Sequence, residues 1–262
     1  MGVLLAKILL APTFVVAASL VARRYGARIG GLVGGLPVVA GPILLVFALD
    51  HGAVFAARAA AGTLLGLVSL LAFILVYAYL ASHMSWAGSL FLGWGAFFAV
   101  TGALSTTTVG PDSALAVVLA AIVLTLLVLP QAQGERPSVV TLPAWDLPLR
   151  GLSALALVLV LTAAANQLGP KLSGLLAPFP VITSVLAVFT HAQHGKRELR
   201  LIMRGLVMGL VAYALFCFVL AVSLEALGIA EGFLLATLAA LAIQAVALTV
   251  TWHRREPAVE PL

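Results

Sequence analysis

Apolar residues fill most of the chain in long runs, and polar residues are confined to short segments between them. A helix needs about 20 mostly apolar residues to cross the hydrocarbon core of a bilayer. Nine runs reach about this length, and each predicts a transmembrane helix. They cover about residues 3–22, 29–49, 55–81, 86–105, 113–130, 149–167, 172–192, 201–226 and 231–252. The long polar segment Gln131–Leu147 separates the fifth run from the sixth and is predicted to link two halves of the chain.

The composition is that of a membrane protein. Of the 262 residues, 63% are hydrophobic and 9% are charged, and the mean hydropathy is +1.19, whereas a soluble domain carries about 25% charged residues. The net charge of +5 does not indicate nucleic-acid binding, because the basic residues lie at the ends of apolar runs, as they do at membrane surfaces. Cys217 is the single cysteine, which excludes an intramolecular disulfide and a cysteine metal cluster.

Two segments of similar sequence lie 143 residues apart. The first runs from Gly26 to Gly52 and the second from Gly169 to Gly195, and each ends on the dipeptide His-Gly. The offset holds without a gap as far as Phe73 and Phe216, and upstream it pairs Lys7 with Arg150. This agreement predicts an internal duplication.

Lysine and arginine are divided unequally between the two predicted sides of the membrane. Eleven of the 14 fall on one side, and three (Lys7, Arg58 and Lys171) fall on the other. The excess of basic residues in cytoplasmic loops predicts a periplasmic N-terminus and a cytoplasmic C-terminus. Because five predicted crossings separate Lys7 from Arg150, the second copy should be inverted relative to the first.

The predicted fold is an all-α integral membrane protein with two inverted four-helix repeats and a linker helix, in a 4+1+4 arrangement. Residues 1–112 form the first repeat, 113–148 the inverting linker helix and a cytoplasmic loop, and 149–262 the second repeat and a short cytoplasmic tail. Inverted duplication is a common plan of secondary transporters. The first 22 residues could also be a signal peptide, but they align with a mid-chain segment, which favours a retained span.

Both copies carry a short motif rich in glycine and proline near the second helix. Its residues are Lys7 opening the first helix, Tyr25, Gly31-Leu32, Pro37, Phe47 and Gly52, and in the second copy the segment Gly174–Pro180. In these features one copy resembles the small GlpM-like bacterial inner-membrane proteins, although the chain lacks the aromatic-rich third helix of that family. The resemblance implies a bacterial inner membrane and a short ancestor that paired antiparallel before it was duplicated and fused.

The second helix of each copy is predicted to be broken, because proline removes a backbone donor and its ring clashes with the preceding turn. Such breaks at bilayer depth persist where they are buried in protein or line a wet cavity. A substrate site at the breaks would use half-helix ends and nearby hydroxyls. Its candidate residues are Gly34, Gly35, Pro37, Gly41, Pro42, Pro178, Pro180, Thr183 and Ser184. The alternative is close helix packing through small residues, and the two interpretations are compatible.

Other motifs point to anchoring rather than to chemistry. His191 and His194 share a helical face but have no evident third metal ligand, so capping of a helix end is the stronger interpretation. Arg58 is expected to reach the outer interface, and the run Ser105–Thr108 is expected to cap a helix. No nucleophile–histidine–acid set, phosphate loop or metal motif is present, so neither enzymatic activity nor a cofactor is predicted.

A transporter or facilitator of a small neutral, anionic or lipid-like substrate is the function that the sequence favours. None of the acidic residues considered (Asp50, Asp112, Glu198, Glu225 and Glu231) lies deep in a span, which argues against proton-coupled cation export. The alternatives are a lipid scramblase or flippase and a non-transporting subunit for envelope lipid or polysaccharide assembly. Membrane lipids and a possible second copy of the chain are the expected partners. A polar cavity near the breaks favours transport, a groove open to lipid favours scrambling, and a filled interior favours the subunit.

Overall fold

The computed structural model describes the backbone of residues 2–131, 145–165 and 170–253, and the side chains discussed below lie within 12–131, 145–157 and 173–249. The described residues form helices and no strand. The helices are α1 (Gly2–Tyr25), α2 (Ala27–Gly34), α3 (Ala40–His51), α4 (Ala53–Leu80), α5 (Trp86–Ser105), α6 (Pro111–Val128), α7 (Asp146–Ala165), α8 (Pro170–Leu176), α9 (Val181–Leu227) and α10 (Ile229–His253).

Five apolar helices of the described residues are long enough to cross a membrane, which makes the chain a helical membrane protein. They are Ala53–Leu80, Trp86–Ser105, Pro111–Val128, the stretch Ser173–Leu227 and Ile229–Thr249. On α6, Val123, Leu124 and Leu127 are 57%, 62% and 77% exposed, as expected of side chains that face lipid. The count of nine spans stays a prediction.

Both predicted helix breaks are present. Residues 35–39 separate α2 from α3, and residues 177–180 separate α8 from α9. The Pro37 carbonyl accepts the Gly41 N–H at 2.8 Å, and the Pro180 carbonyl accepts the Ser184 N–H at 2.8 Å. In both halves the proline therefore stands directly before a new helix, where its missing N–H removes no helical hydrogen bond.

Helix α9 folds back on itself at Gly195, where φ is 80° and ψ is −171°. We call residues 181–194 its first arm and residues 196–227 its second arm. A Cβ added to Gly34 would lie within 3.1 Å of both Leu186 and Leu206, so these residues of opposite arms are close in space. Gly52, between α3 and α4, has a φ of 86°. Both glycines occupy a left-handed conformation that side chains disfavour, and they end the duplicated segment in its two copies.

The two halves contact each other through equivalent pairs of helices. Helix α2 packs against the second arm of α9, and α8 packs against α4. A Cβ added to Gly31 would lie 2.0 Å from the Ile202 carbonyl oxygen, and a Cβ added to Gly174 would lie 2.3 Å from the Ala59 carbonyl oxygen. Gly31 and Gly174 are 143 residues apart, as are Ala59 and Ile202. Small residues allow backbones to approach this closely, and they do so at the same place in each copy.

Basic residues of the second arm of α9 join several helix ends at one end of the bundle. Arg204 donates to the carbonyl oxygens of Leu126 and Leu129, each at 3.0 Å, and Arg200 reaches the Ser82 hydroxyl at 3.1 Å. Arg204 therefore satisfies carbonyls at the end of α6 that have no helical partner. Most of the predicted cytoplasmic loop, 132–144, and the tail, 254–262, lie outside the described residues.

Candidate functional site

The first break is closely packed by the second arm of α9. A Cβ added to Gly35 would lie 2.7 Å from the Leu206 carbonyl oxygen, and a Cβ added to Gly41 would lie 3.4 Å from the Phe216 ring. Pro37 and Pro42 are half-buried beside it. Of these predicted site residues, Gly35 and Gly41 therefore lie at the interface of the two halves, where they serve close packing.

The second break is more deeply buried than the first. Pro178 and Pro180 are buried, and Pro178 packs against Gly66 of α4. Thr183 and Ser184 are 5% and 1% exposed. The Trp94 indole of α5 donates to the Ser184 hydroxyl at 3.0 Å, so this hydroxyl already holds a protein partner.

Aromatic residues of α5 cover the second break. The Phe179 ring lies 5.3 Å from that of Phe97, 5.6 Å from Phe98 and 5.8 Å from Trp94, between centroids. Edge-to-face and tilted contacts of this kind are favourable beyond the area they bury. The hydroxyls past Pro180 are therefore shielded in the conformation described here.

A freed carbonyl at the first break is bound by α10. In a continuous α-helix the Leu36 N–H would donate to the Leu32 carbonyl oxygen. Here it donates to the Val33 carbonyl oxygen instead, which leaves the Leu32 carbonyl without its helical donor. Gln244, which is 4% exposed, donates to the Leu32 carbonyl oxygen at 2.9 Å. The Gln244 side chain thus replaces one hydrogen bond that the break costs.

A cavity of about 110 Å³, with both apolar and polar residues in its lining, lies between α1, α7 and the two arms of α9. Arg23 and Gly26 are exposed at its mouth, while Ser19 and Thr190 are 3% and 5% exposed. Its wall also includes Leu186, which lies next to Gly34 of the broken helix. The cavity is therefore formed by residues of both halves and extends from one end of the bundle toward the first break.

A buried carboxylate organises the mouth of this cavity. Asp146 is 0% exposed and accepts hydrogen bonds from Arg150 Nε at 2.9 Å, Gln193 Nε2 at 2.6 Å and Arg23. Arg150 also donates to Gln193 Oε1 at 2.9 Å and lies over the Phe189 ring, 4.7 Å from its centroid. We call Arg23, Asp146, Arg150 and Gln193 the carboxylate network. It joins α1, α7 and the first arm of α9.

The network keeps Asp146 ionised. Burial alone would raise the pKa of this carboxyl, but hydrogen bonds from Gln193, Arg150 and Arg23 and the charge of Arg150 outweigh it. The pKa of Asp146 is therefore below its ordinary value. A carboxylate that is fixed and charged can in turn orient the guanidinium groups that line the cavity.

Sequence reasoning found the breaks but not the network. From the sequence, Asp146 belongs to the polar segment Gln131–Leu147, and Arg150 is a partner of Lys7 in the duplication and one of the counted basic residues. The sequence does place an Asp four residues before an Arg, a spacing that favours an ion pair on a helix. It carries no sign that Arg23, 123 residues earlier, completes the pair.

Other predicted features have plain structural roles among the described residues. The hydroxyls of Ser105, Thr106 and Thr107 donate to carbonyl oxygens of the last turn of α5, as predicted for a cap. Arg58 is exposed. His51 stacks on Phe55, with centroids 4.6 Å apart, whereas its equivalent His194 lines the cavity. The two histidines thus have different surroundings.

Comparisons of the chain with protein-family models, with curated proteins and with solved structures found no match.

Proposed function

We propose that the protein is a membrane transporter or facilitator of a small neutral or anionic solute, and that it works by alternating access between two inverted repeats. The observation that carries the proposal is the cavity at the interface of the halves, whose polar residues include Ser19 and Arg23 on one wall and Arg150 and Thr190 on the other. Transporters built from inverted repeats bind their substrates at such an interface, beside discontinuous helices.

The directions of the helices support an inverted arrangement. Helix α8 and the first arm of α9 run beside α4 in the same direction, since Pro178 packs against Gly66 and His191 contacts Tyr77. Helices α2 and α3 likewise run beside the second arm of α9 and in the same direction as it, since Gly31 lies next to Ile202 and Gly41 lies next to Phe216.

The turns at Gly52 and Gly195 complete this geometry. After Gly52 the chain turns back into α4, and after Gly195 it turns back into the second arm. Since α2 and α3 run along the second arm, α4 must run opposite to it. Equivalent helices that point in opposite directions are what a two-fold axis in the membrane plane produces.

The proposed transport cycle moves one repeat against the other. In the conformation described here, the cavity is open at Arg23 and closed toward the first break by Leu186 and Leu206. A rocking motion would close the mouth and open the packed side, where the Gly35 and Gly41 contacts lie. We place the mouth on the cytoplasmic face of a bacterial inner membrane, because the basic residues gather at that end.

Close packing at the breaks favours a second candidate, a non-transporting membrane subunit. Backbone groups approach at Gly31, Gly35 and Gly174 with no space for a Cβ atom, and tight interfaces of this kind resist movement. A subunit with a fixed interior would expose its cavity to one side of the membrane at all times.

Chemical labelling from each side of the membrane separates the two candidates. Ser19→Cys would be made in a Cys217→Ser background and treated with a small, charged and membrane-impermeant methanethiosulfonate, which is slimmer than a maleimide, in right-side-out and in inverted vesicles. Alternating access predicts reaction at Ser19→Cys from both sides, because the cavity floor faces each side in turn. The fixed subunit predicts reaction from the Arg23 side only.

Two exposed positions provide the controls. Ser85 lies directly before α5 and Thr106 directly after it, so the two residues lie at opposite ends of this helix. Both are exposed. Cysteine at either position should react from one side only, and from opposite sides. Reaction of Ser19→Cys from a single side, with both controls behaving as stated, contradicts alternating access.

A further inference from the structure

The charges around the cavity do not balance. Arg23 and Arg150 both line it, and they share the single carboxylate of Asp146. Glu198 also lines the cavity, but its carboxylate is paired with Arg197 at 2.8 Å. Among the described residues, the carboxylate network therefore carries one positive charge in excess beside a partly enclosed polar space.

The floor of the cavity offers a hydrogen-bonding group in addition to the charge. Ser19 is 3% exposed, and its hydroxyl has no hydrogen-bond partner among the described residues. It lies four residues before Arg23 on α1, so both side chains occupy one face of that helix. An unpaired hydroxyl in a buried position costs free energy unless a ligand or water completes it.

We propose that this cavity binds a small monocarboxylate, with Arg23 and Arg150 facing its carboxylate and Ser19 donating to it from the floor. The assignment rests on the proposed transport function, whose substrate it specifies. Asp146 lies outside the cavity lining, and its hydrogen bonds to Arg23 and Arg150 offset one of their two positive charges. A bound monoanion cancels the excess charge and uses the free hydroxyl.

Size and charge favour a carboxylate over other anions. Guanidinium groups bind carboxylate and phosphate with the same forked geometry. An enclosed cavity of about 150 Å³ accommodates benzene, so the observed volume of about 110 Å³ suits a solute of only a few heavy atoms. The single excess charge matches a monocarboxylate better than phosphate, whose charge near neutral pH exceeds one.

Binding of acetate to the purified full-length protein in detergent tests the assignment. Calorimetry at neutral pH would compare acetate with acetamide, which has the same shape and no charge, and with inorganic phosphate. Acetate should bind, acetamide should bind at least about tenfold more weakly, and phosphate should bind more weakly than acetate. Equal binding of acetate and acetamide overturns the proposal, and preferential binding of phosphate overturns the choice of carboxylate.

A series of charge variants tests which residues form the site. Arg23→Gln removes the excess charge and should weaken acetate binding about tenfold, whereas Asp146→Asn adds to the excess and should strengthen it by a similar factor. Arg24→Gln is the matched control, since Arg24 is exposed, lies against the Tyr25 ring and is absent from the cavity wall. A purely structural network predicts no gain from Asp146→Asn.

The two variants keep the test independent of folding. Arg23 has a partly exposed side chain, so Arg23→Gln remains informative even where Asp146→Asn does not fold. Acetate affinity that does not change in Arg23→Gln contradicts the proposed site. This result is independent of the labelling experiment. If Ser19→Cys is labelled from both sides but the protein does not bind acetate, only the proposed substrate is wrong. If the protein binds acetate but Ser19→Cys is labelled from one side only, only the proposed transport is wrong.

Discussion

Gly195 stands in the second half where Gly52 stands in the first, and both glycines turn the chain with a positive φ, 80° and 86°. Neither has a heavy atom within 4 Å of the position where a Cβ would lie. The need for glycine at these two positions is therefore conformational and does not come from packing.

Alanine at either turn should destabilise the protein through backbone strain. Gly52→Ala and Gly195→Ala should each cost about 1–3 kcal/mol, because a positive φ with an extended ψ is essentially restricted to glycine. Gly95 and Gly102 of α5 provide the control, since they also have open space around a Cβ but no positive φ. Alanine at these two positions should stabilise α5 by up to about 1 kcal/mol. Thermal unfolding in detergent would measure both pairs, and equal effects at turns and controls would contradict the assigned role.

The loss of stability when an interface glycine is replaced by alanine should depend on which atoms the new methyl group meets. Gly35→Ala and Gly174→Ala would place a Cβ 2.7 Å and 2.3 Å from backbone carbonyl oxygens, whereas Gly34→Ala would meet the ends of two leucine side chains. The first two should lose about 3 kcal/mol or more, and Gly34→Ala clearly less, because side chains can move where backbone cannot. Folded yield and unfolding temperature would rank them, and the reverse order would show that the contacts are misplaced.

The two prolines should differ from these glycines. Pro37→Ala and Pro180→Ala remove the ring that keeps the chain from continuing as one helix through the break, so the separated half-helices can join. We expect stability to hold and solute uptake into proteoliposomes to fall, because the hinge between the half-helices is lost. Full uptake in both variants, with losses only in the glycine variants, would mean that the breaks are purely architectural.

Acid should weaken the contacts made by Asp146. Its folded pKa lies below the unfolded value of about 3.9. The network therefore contributes its full stability above that pH and loses it as the pH falls through the folded pKa. Asp146→Asn should lower stability by about 1–3 kcal/mol at neutral pH. The difference in unfolding temperature from the unmutated chain should shrink as the pH falls below the unfolded pKa and through the folded pKa of Asp146. A difference that is constant with pH would show that the charge of Asp146 does not matter.

The breaks and turns could be predicted from the sequence because local chemistry determines them. Proline cannot continue a helix, glycine accommodates a positive φ, and the constant offset marks Pro37 with Pro180 and Gly52 with Gly195. The residues of α9 likewise fall in two predicted spans, 172–192 and 201–226, and the turn at Gly195 lies in the gap between them. In each case one or two residues are enough to produce the feature.

The carboxylate network could not be predicted in this way because it is assembled from distant segments. Asp146 follows a polar loop, and its burial depends on Arg23 and Gln193 from two other helices. The unequal burial of the two breaks has a similar origin. Trp94 and Phe97 of α5 cover Phe179, whereas α10 provides Gln244 at the first break, and no local pattern distinguishes these helices.

The most direct test of the inverted arrangement compares the two glycine turns. Asp50 and Lys196 are exposed beside Gly52 and Gly195, and each would be replaced by cysteine in a Cys217→Ser background. Intact cells would be treated with a membrane-impermeant maleimide, with and without permeabilisation. The account predicts that Asp50→Cys reacts in intact cells and that Lys196→Cys reacts only after permeabilisation, because inversion places equivalent turns on opposite sides. Reaction of both cysteines in intact cells, or of both only after permeabilisation, would mean that the two halves are parallel and would contradict the account.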